Sequence, residues 1–184
     1  MSQKFTVLFD LDGTLIDTAP DLMLAHNHVM KKFGYEEREL SDIKKLAGGG
    51  SKAMLRKSMH EIAELSGKIK KTDEKMEEEM TKEFIDFYSK NINTKSKLIT
   101  GVIEFLDWCK NNSISMAVCT NKQEHLSIDL LKKIKIYHFF DYVAGGNTFN
   151  YNKPNPKHLT DTLEIIGGNI KKTIMVGDSE TDSN

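Results

Sequence analysis

The chain has 184 residues, a length typical of one domain or of a small domain that carries an insertion. Apolar residues make up 39% of the sequence and charged residues 29%, a composition that excludes an intrinsically disordered chain. The net charge is −1, with both signs spread along the chain, which argues against a protein that binds nucleic acid by neutralising its phosphates.

The two cysteines and the short apolar runs exclude further classes of protein. Neither Cys109 nor Cys119 has a CxxC partner, so a disulfide framework or a structural zinc site is not expected. The first strand begins too early for a signal peptide to precede it, and no apolar run approaches the roughly 20 residues of a membrane helix. We therefore expect a reduced, cytoplasmic protein that makes no membrane contact.

In chain order, the first predicted element is a buried strand at Phe5–Phe9. Three later runs have the same nearly continuous apolar character, namely Ile114–Cys119, Tyr142–Ala144 and Thr173–Val176. Such runs are typical of strands that are covered on both faces of a parallel sheet. Amphipathic helical patterns separate the later strands, and this alternation predicts right-handed βαβ units.

The segment between the first two predicted strands has a different pattern. From about residue 17 to residue 92 no convincing strand occurs, and apolar residues recur at helical spacing, as in Met76, Met80 and Phe84. Within it, the charge-rich stretch Lys68–Glu79 is expected to form a solvated helix connection and helix face. We predict a core built from residues 1–16 and 93–184 and a separate helical subdomain at residues 17–92.

The strongest chemical signal follows the first strand directly. Asp10 and Asp12 are two carboxylates placed two residues apart, at the strand end where ligand sites of open parallel sheets lie. Gly13, the next residue, lets the backbone turn away sharply. Both acids can therefore point into one crevice.

Polar residues also follow the later strands. Thr120 and Asn121 come after the second predicted strand, Asp178 and Asp182 come after the fourth, and Lys153 stands between turn residues. Acids that converge on one crevice repel each other unless a cation lies among them. Oxygen-only ligands beside a phosphate partner favour Mg²⁺.

In the same order along the chain, these residues resemble the four motifs of the haloacid dehalogenase superfamily: Asp10 with Asp12, Thr120, Lys153, and Asp178 with Asp182. The helical insertion looks like the first type of cap in that superfamily, and the layout is most similar to phosphoglycolate phosphatases. The resemblance implies an α/β fold, with a Rossmann-like parallel core of strand order near 3-2-1-4 and an inserted α-helical cap.

The resemblance also implies catalytic roles. Asp10 would be the nucleophile that becomes phosphorylated, and Asp12 would be the general acid and base. Thr120, Asn121 and Lys153 would bind the phosphoryl group. These roles agree with what phosphoryl transfer needs, namely positioning and neutralisation of charge.

For the metal, the resemblance implies that Mg²⁺ is held by Asp10, by the backbone carbonyl of Asp12 and by Asp178. Ser179 and Asp182 would support these ligands or contact the ion through water. No His/Cys set with zinc spacing competes for this role.

A glycine-rich loop precedes a helical pattern at Gly48, Gly49, Gly50 and Ser51. It lacks the P-loop spacing and has no strand before it, so a nucleotide-binding P-loop is excluded. Two interpretations are open: a flexible helix connection, or, as the resemblance suggests, a substrate-specificity loop whose backbone N–H groups hold a substrate carboxylate.

The sequence therefore predicts a Mg²⁺-dependent phosphatase for a small phosphorylated metabolite, with 2-phosphoglycolate as the leading candidate and no nucleic-acid or membrane partner. The alternatives are a pyrophosphatase or nucleotidase of the same superfamily and, from a different class, a catalytically silent binding module or incomplete fragment. A monomer or a homodimer is expected.

Overall fold

The structure, a computed structural model, describes residues 4–66 and 74–182. It divides the chain into two compact units, one formed by Met1–Thr18 with Ser96–Asn184 and the other by Ala19–Lys95. Within the described residues, every strand belongs to the first unit, and the second unit is helical. Part of the charge-rich stretch Lys68–Glu79, up to residue 73, lies outside the described residues.

Within those residues the strands are β1 (Thr6–Phe9), β2 (Ile16–Asp17), β3 (Lys97–Leu98), β4 (Ser115–Cys119), β5 (Tyr142–Ala144) and β6 (Thr173–Val176). The helices are α1 (Ala19–Lys32), α2 (Ile43–Leu46), α3 (Gly50–Ser66), α4 (Glu74–Lys90), α5 (Val102–Asn111), α6 (Glu124–Lys133) and α7 (Lys157–Ile165). In the part of the chain that the structure describes, none of these helices combines the length and apolar character of a bilayer span.

The first unit is built on a four-stranded parallel sheet of order β5-β4-β1-β6. This is the strand order that the resemblance implied. β1 lies in the interior of the sheet, with Phe9 opposite Val118 on one side and Val176 on the other. All four residues of β1 are buried, because strands flank it on both sides and the rest of the unit covers its faces.

The burial predicted for the fourth core strand is wrong. β6 bonds to β1 alone among the described strands, and the side chain of Ile174 is 62% exposed. The remaining residues of β6 are half-buried. The other edge strand, β5, has Val143 and Ala144 buried, so edge position alone does not explain the exposure. An apolar run shows that a strand can be covered on both faces, whereas the elements that pack on each face decide whether it is.

A two-stranded antiparallel ribbon forms where the chain leaves and re-enters the first unit. Ile16 pairs with Leu98, and Asp17 pairs with Lys97. The sequence did not predict these two-residue strands, because a run this short carries no periodicity. The ribbon belongs to the first unit, so the unit boundaries fall at 18/19 and 95/96.

Helices α5, α6 and α7 pack against β4 or β5 through their apolar faces. Leu106 of α5 and Leu130 of α6 are fully buried. Burial of each such leucine contributes about 1.5–3 kcal/mol to folding. The helical spacing of the apolar residues therefore corresponds to real packing faces.

In the second unit, α4 packs against both α1 and α3. Its fully buried side chains include Met80 and Tyr88, with Phe84 almost completely buried between them along the helix. Glu77, which was expected on a solvated face, is instead 9% exposed and accepts a hydrogen bond of 2.6 Å from Arg56 Nε. The solvated-face prediction is wrong at this residue because Arg56 of α3 supplies a partner that the sequence pattern did not reveal.

Candidate active site

The carboxyl ends of the parallel strands bring the candidate residues to one edge of the sheet. Asp10 follows β1, and its backbone N–H donates to the carbonyl of Val176 in β6 at 2.8 Å. Thr120 follows β4, and its N–H donates to the carbonyl of Ala144 in β5 at 2.9 Å. The sheet hydrogen bonding thus extends one residue past the strands and fixes the backbone from which these side chains project.

Lys153 lies at the centre of the polar cluster. Its Nζ is 2.9 Å from Asp10 Oδ1 and 2.5 Å from Asp182 Oδ1, and its side chain is 2% exposed. An ammonium group buried this deeply is tolerated when carboxylates pair with it. Two carboxylates share this one buried cation, so the local charge is negative when both are ionised.

The negative charge of the cluster affects the pKa of Asp10. The pKa of Asp10 is raised to about 6, mainly by burial; Lys153 opposes the shift, and the neighbouring Asp182 and Asp12 carboxylates add to it. The ionised Asp10 carboxylate therefore lacks enough nearby positive charge to balance it. A divalent cation beside Asp10 would stabilise the ionised form.

The acids of the cluster fit such a cation. Carboxylate oxygens of Asp10, Asp178 and Asp182 all lie within 4.8 Å of one another. The donor set is oxygen only, which suits Mg²⁺. The side chain of Asp12 lies outside this group, and a role for its backbone carbonyl stays a prediction.

Two glycines allow the carboxylates to approach the backbone. Gly13 has a φ of +82°, and a Cβ there would lie 2.2 Å from Asp178 Oδ2. A Cβ on Gly177 would lie 2.2 Å from Cγ of Asp182. Only glycine leaves room for both acids in their present positions.

Asp182 makes more direct contacts than the sequence suggested. One of its oxygens binds Lys153, and the other accepts from Ser179 through the backbone N–H at 3.0 Å and the hydroxyl at 2.7 Å. Ser179 therefore holds Asp182, and Asp182 holds Lys153. The predicted contact of either residue with a metal ion stays a prediction.

The residues after β4 also act on the Lys153 turn. The Asn121 side-chain amide donates to the backbone carbonyl of Lys153 at 3.1 Å. Thr120 is 2% exposed, and its Oγ1 accepts from the backbone N–H of Lys122 at 3.2 Å. The structure thus shows Asn121 tethering the lysine turn, and phosphate binding by Thr120 and Asn121 stays a prediction.

Two further residues, Lys122 and Thr18, contact Asp12, and the sequence pattern predicted neither contact. Lys122 Nζ is 3.0 Å from Asp12 Oδ2, and Thr18 Oγ1 donates to Asp12 Oδ1 at 2.6 Å. The only available sequence signal was the position of a lysine directly after Thr120 and Asn121. A lysine at a strand end is ordinarily solvated, so this signal was too weak to use.

Two other buried groups near the site, Cys119 and His158, are held in their neutral forms. Burial raises the pKa of the Cys119 thiol to about 12, which suppresses its thiolate form. His158 is fully buried, its Nε2 lies 3.1 Å from the carbonyl of Gly145, and burial lowers its pKa. His158 is therefore a neutral group bound to the backbone.

The glycine-rich loop lies in the second unit. Gly48 and Gly50 have φ values of +99° and +81°, a conformation that favours glycine, and α3 begins at Gly50. The loop therefore leads directly into a helix N-terminus, as the sequence predicted. Its role in choosing a substrate stays a prediction.

Replacement of Asp10 by Asn tests the buried charge. A raised pKa means that protonated Asp10 favours folding, so this contribution is complete below pH 3.8 and is lost as the pH rises through about 6. Asp10→Asn mimics the protonated acid and leaves Lys153 paired with Asp182. In urea titrations with EDTA at pH 7, we expect the free energy of unfolding of the variant to exceed that of the original chain by about 2–3 kcal/mol. The difference should shrink towards pH 4.5.

The control for this measurement is Asp107→Asn, on the exposed face of α5, which we expect to leave the free energy of unfolding unchanged within about 0.5 kcal/mol. If Asp10→Asn is no more stable than the original chain at pH 7, the raised pKa assigned to the buried Asp10 carboxylate is contradicted.

Replacement of Gly13 by Ala tests the close approach of Asp178. Gly101 provides a matched control, because its φ of +88° imposes the same backbone strain but a Cβ there meets no atom within 4 Å. We expect Gly13→Ala to weaken Mg²⁺ binding by about 10-fold or more in calorimetric titration, since it displaces a candidate ligand. Equal Mg²⁺ affinities for Gly13→Ala and Gly101→Ala would argue against Asp178 as a ligand.

Comparison with known proteins agrees with this geometry. A profile of the haloacid dehalogenase-like hydrolase family matches residues 7–184. A phosphoglycolate phosphatase from Mesorhizobium japonicum is 36% identical over 176 residues, which are 96% of this chain and 75% of that protein. A phosphoglycolate phosphatase from Aquifex aeolicus is 35% identical over 96% of this chain and 76% of its own length.

A solved structure shows the same fold. The crystal structure of "a predicted phosphoglycolate phosphatase" from Haemophilus somnus 129PT superposes with a TM-score of 0.89 at 27% identity, covering 99% of this chain and 80% of the other. The profile match and these relatives together cover nearly every residue described above. The chain therefore belongs to the haloacid dehalogenase-like hydrolase family.

Proposed function

We propose that this hydrolase is a Mg²⁺-dependent phosphatase of small phosphomonoesters that acts through a phosphorylated Asp10, with 2-phosphoglycolate as its leading substrate. The observation that carries the proposal is the buried Asp10 carboxylate, 2.9 Å from Lys153 Nζ and grouped with Asp178 and Asp182. The substrate is suggested by relatives named phosphoglycolate phosphatase, of which the chain spans about three quarters.

In the first half-reaction, an Asp10 carboxylate oxygen forms a bond to phosphorus as the bond to the ester oxygen breaks. Asp12 gives its proton to that leaving oxygen, which departs as an alcohol. Lys153 stabilises the ionised, nucleophilic form of Asp10, since its ammonium lies beside the carboxylate. The proton transfer from Asp12 to the leaving oxygen is expected to raise the reaction rate by about 10²–10⁴-fold.

In the second half-reaction, Asp12 is a carboxylate and takes a proton from a water molecule. The water oxygen bonds to phosphorus as the bond from phosphorus to Asp10 breaks, and phosphate leaves. Asp10 returns as a carboxylate and Asp12 returns in its protonated form, so the cycle closes with no other reactant.

Asp10, Asp178 and the backbone carbonyl of Asp12 would hold the Mg²⁺ ion, with Asp182 and Ser179 fixing the surrounding side chains. When bound, Mg²⁺ supplies positive charge that offsets the charge of the transferring phosphoryl group. Thr120, Asn121 and Lys153 are proposed to bind the phosphoryl oxygens, as positioning dominates catalysis of this reaction.

The proposal extends to residues 17–92 as a helical cap and to Gly48, Gly49, Gly50 and Ser51 as its substrate-specificity loop. Backbone N–H groups at the start of α3 are suited to an anion, because a helix N-terminus carries partial positive charge. A carboxylate on the substrate supplies such an anion. A cytoplasmic location and a monomeric or homodimeric state belong to the same proposal.

Activity of the purified chain against a panel of phosphorylated metabolites tests the reaction class. We expect Mg²⁺-dependent release of phosphate that EDTA abolishes and that Asp10→Asn lowers by at least about 10³-fold. Preference for pyrophosphate or for nucleotides within the panel would identify the alternative hydrolases of this family. Release of phosphate by Asp10→Asn at the original rate would rule out the covalent mechanism.

A change of charge at Ser51 tests the specificity loop. Ser51→Asp places a carboxylate in the first turn of α3, where it favours the helix but repels a carboxylate-bearing substrate. We expect KM for 2-phosphoglycolate to rise about 10-fold, while KM for p-nitrophenyl phosphate changes less than about 2-fold. Ser51→Asn is the uncharged control, and equal KM changes for both substrates would contradict the proposed role of the loop.

A further inference from the structure

Lys122 is buried beside the proposed proton-transfer residue. The residue is 8% exposed, its side chain 5%, and its Nζ lies 3.0 Å from Asp12 Oδ2. Burial of a lysine ammonium is costly unless an anion compensates it, and the Asp12 carboxylate does so here. The site therefore contains two buried lysines, Lys153 at the proposed nucleophile Asp10 and Lys122 at Asp12.

The second oxygen of Asp12 is held from another part of the chain. Thr18, 1% exposed and directly after β2, donates from Oγ1 to Asp12 Oδ1 at 2.6 Å. Rotation about the last side-chain torsion of an aspartate is otherwise broad. With one oxygen bound to Lys122 and the other to Thr18, that rotation is restricted.

The backbone of Lys122 is itself held in place. Its N–H donates to Thr120 Oγ1 at 3.2 Å, and its carbonyl accepts from Gly146 N–H at 2.8 Å. Gly145 packs so closely that a Cβ there would lie 2.8 Å from the Lys122 carbonyl oxygen. The lysine thus projects from a rigid turn, which suits it to orient another side chain.

We propose that Lys122 and Thr18 are positioning residues that hold the Asp12 carboxylate in one orientation for proton transfer. The inference rests on the proposed phosphatase function and on Asp12 as its general acid and base. Neither residue needs to contact the substrate in this role. Loss of either is expected to impair the step that depends on a proton from Asp12, and to impair other steps less.

Leaving-group chemistry separates this role from direct phosphate binding. An alkyl phosphate such as 2-phosphoglycolate needs a proton on its leaving oxygen, whereas p-nitrophenolate is stable enough to leave without one. The ratio kcat/KM reports the steps through transfer of the phosphoryl group to Asp10. A positioning role for Lys122 therefore predicts unequal losses of kcat/KM for these two substrates.

The variants are Lys122→Met, which keeps the length of the side chain without its charge, Thr18→Val, and the conservative Lys122→Arg. We expect Lys122→Met to lower kcat/KM for 2-phosphoglycolate by about 10–100-fold, part of the full general acid effect, but for p-nitrophenyl phosphate by less than about 3-fold. Thr18→Val should show the same pattern with a smaller loss, and Lys122→Arg should recover part of the activity.

Lys171→Met, at an exposed lysine of the same unit, is the matched control and should leave both kcat/KM values unchanged. Equal losses for the two substrates in Lys122→Met, seen in a variant that unfolds cooperatively like the original chain, would assign Lys122 to phosphate binding and overturn the inference. Unchanged kinetics in Lys122→Met would overturn it as well.

Asp12→Asn distinguishes this outcome from failure of the proposed function. If the original chain hydrolyses neither substrate, the phosphatase proposal fails. If the original chain is active and Asp12→Asn shows the unequal loss while Lys122→Met does not, the proposed function stands and the positioning role alone is rejected.

Discussion

The buried Lys153 ammonium, placed between Asp10 and Asp182, is the interaction on which the site depends. Two lysines, Lys153 and Lys122, lie among the carboxylates of Asp10, Asp12, Asp178 and Asp182, so the site is negative when all four acids are ionised. Burial, together with the Asp182 and Asp12 carboxylates and against the opposing effect of Lys153, raises the pKa of Asp10 to about 6. The same imbalance makes the site receptive to a divalent cation and then to an anionic phosphoryl group. In the proposed mechanism, metal binding and the reactivity of Asp10 therefore have one electrostatic origin.

The parallel sheet makes this charge cluster possible. Asp10, Thr120 and Asp178 each follow a different strand, and parallel strands end at the same edge. Glycines then remove the last steric obstacle, since Gly13 and Gly177 leave the space that Asp178 and Asp182 occupy. Positioning on rigid strand ends is what a reaction governed by orientation and charge requires.

Much of the site was predictable from residue type and position in the chain. Asp10 was singled out because acids also cluster at the other strand ends, and Lys153 because it occurs in chain order with those acids and Thr120. Lys122 was missed because it lies far from Asp12 in sequence. Thr18 is only six residues from Asp12 and was missed because a threonine at a strand end does not reveal which side chain it contacts. The direct contact of Asp182 with Lys153 was missed too, because the two residues are 29 positions apart in the sequence. Side-chain pairing across such distances has no local sequence signal.

The sequence by itself determined the fold class, the core strands and the helical character of the described part of the second unit, including α1, α3 and α4, because apolar periodicity reflects which faces can be buried. Tertiary structure decided the exposure of Ile174 on β6, the burial of Glu77 against Arg56 and the pairing of β2 with β3. It also decided which lysine faces which acid. These features depend on what lies opposite a residue in space, and periodicity along the chain records only which side of an element faces inward.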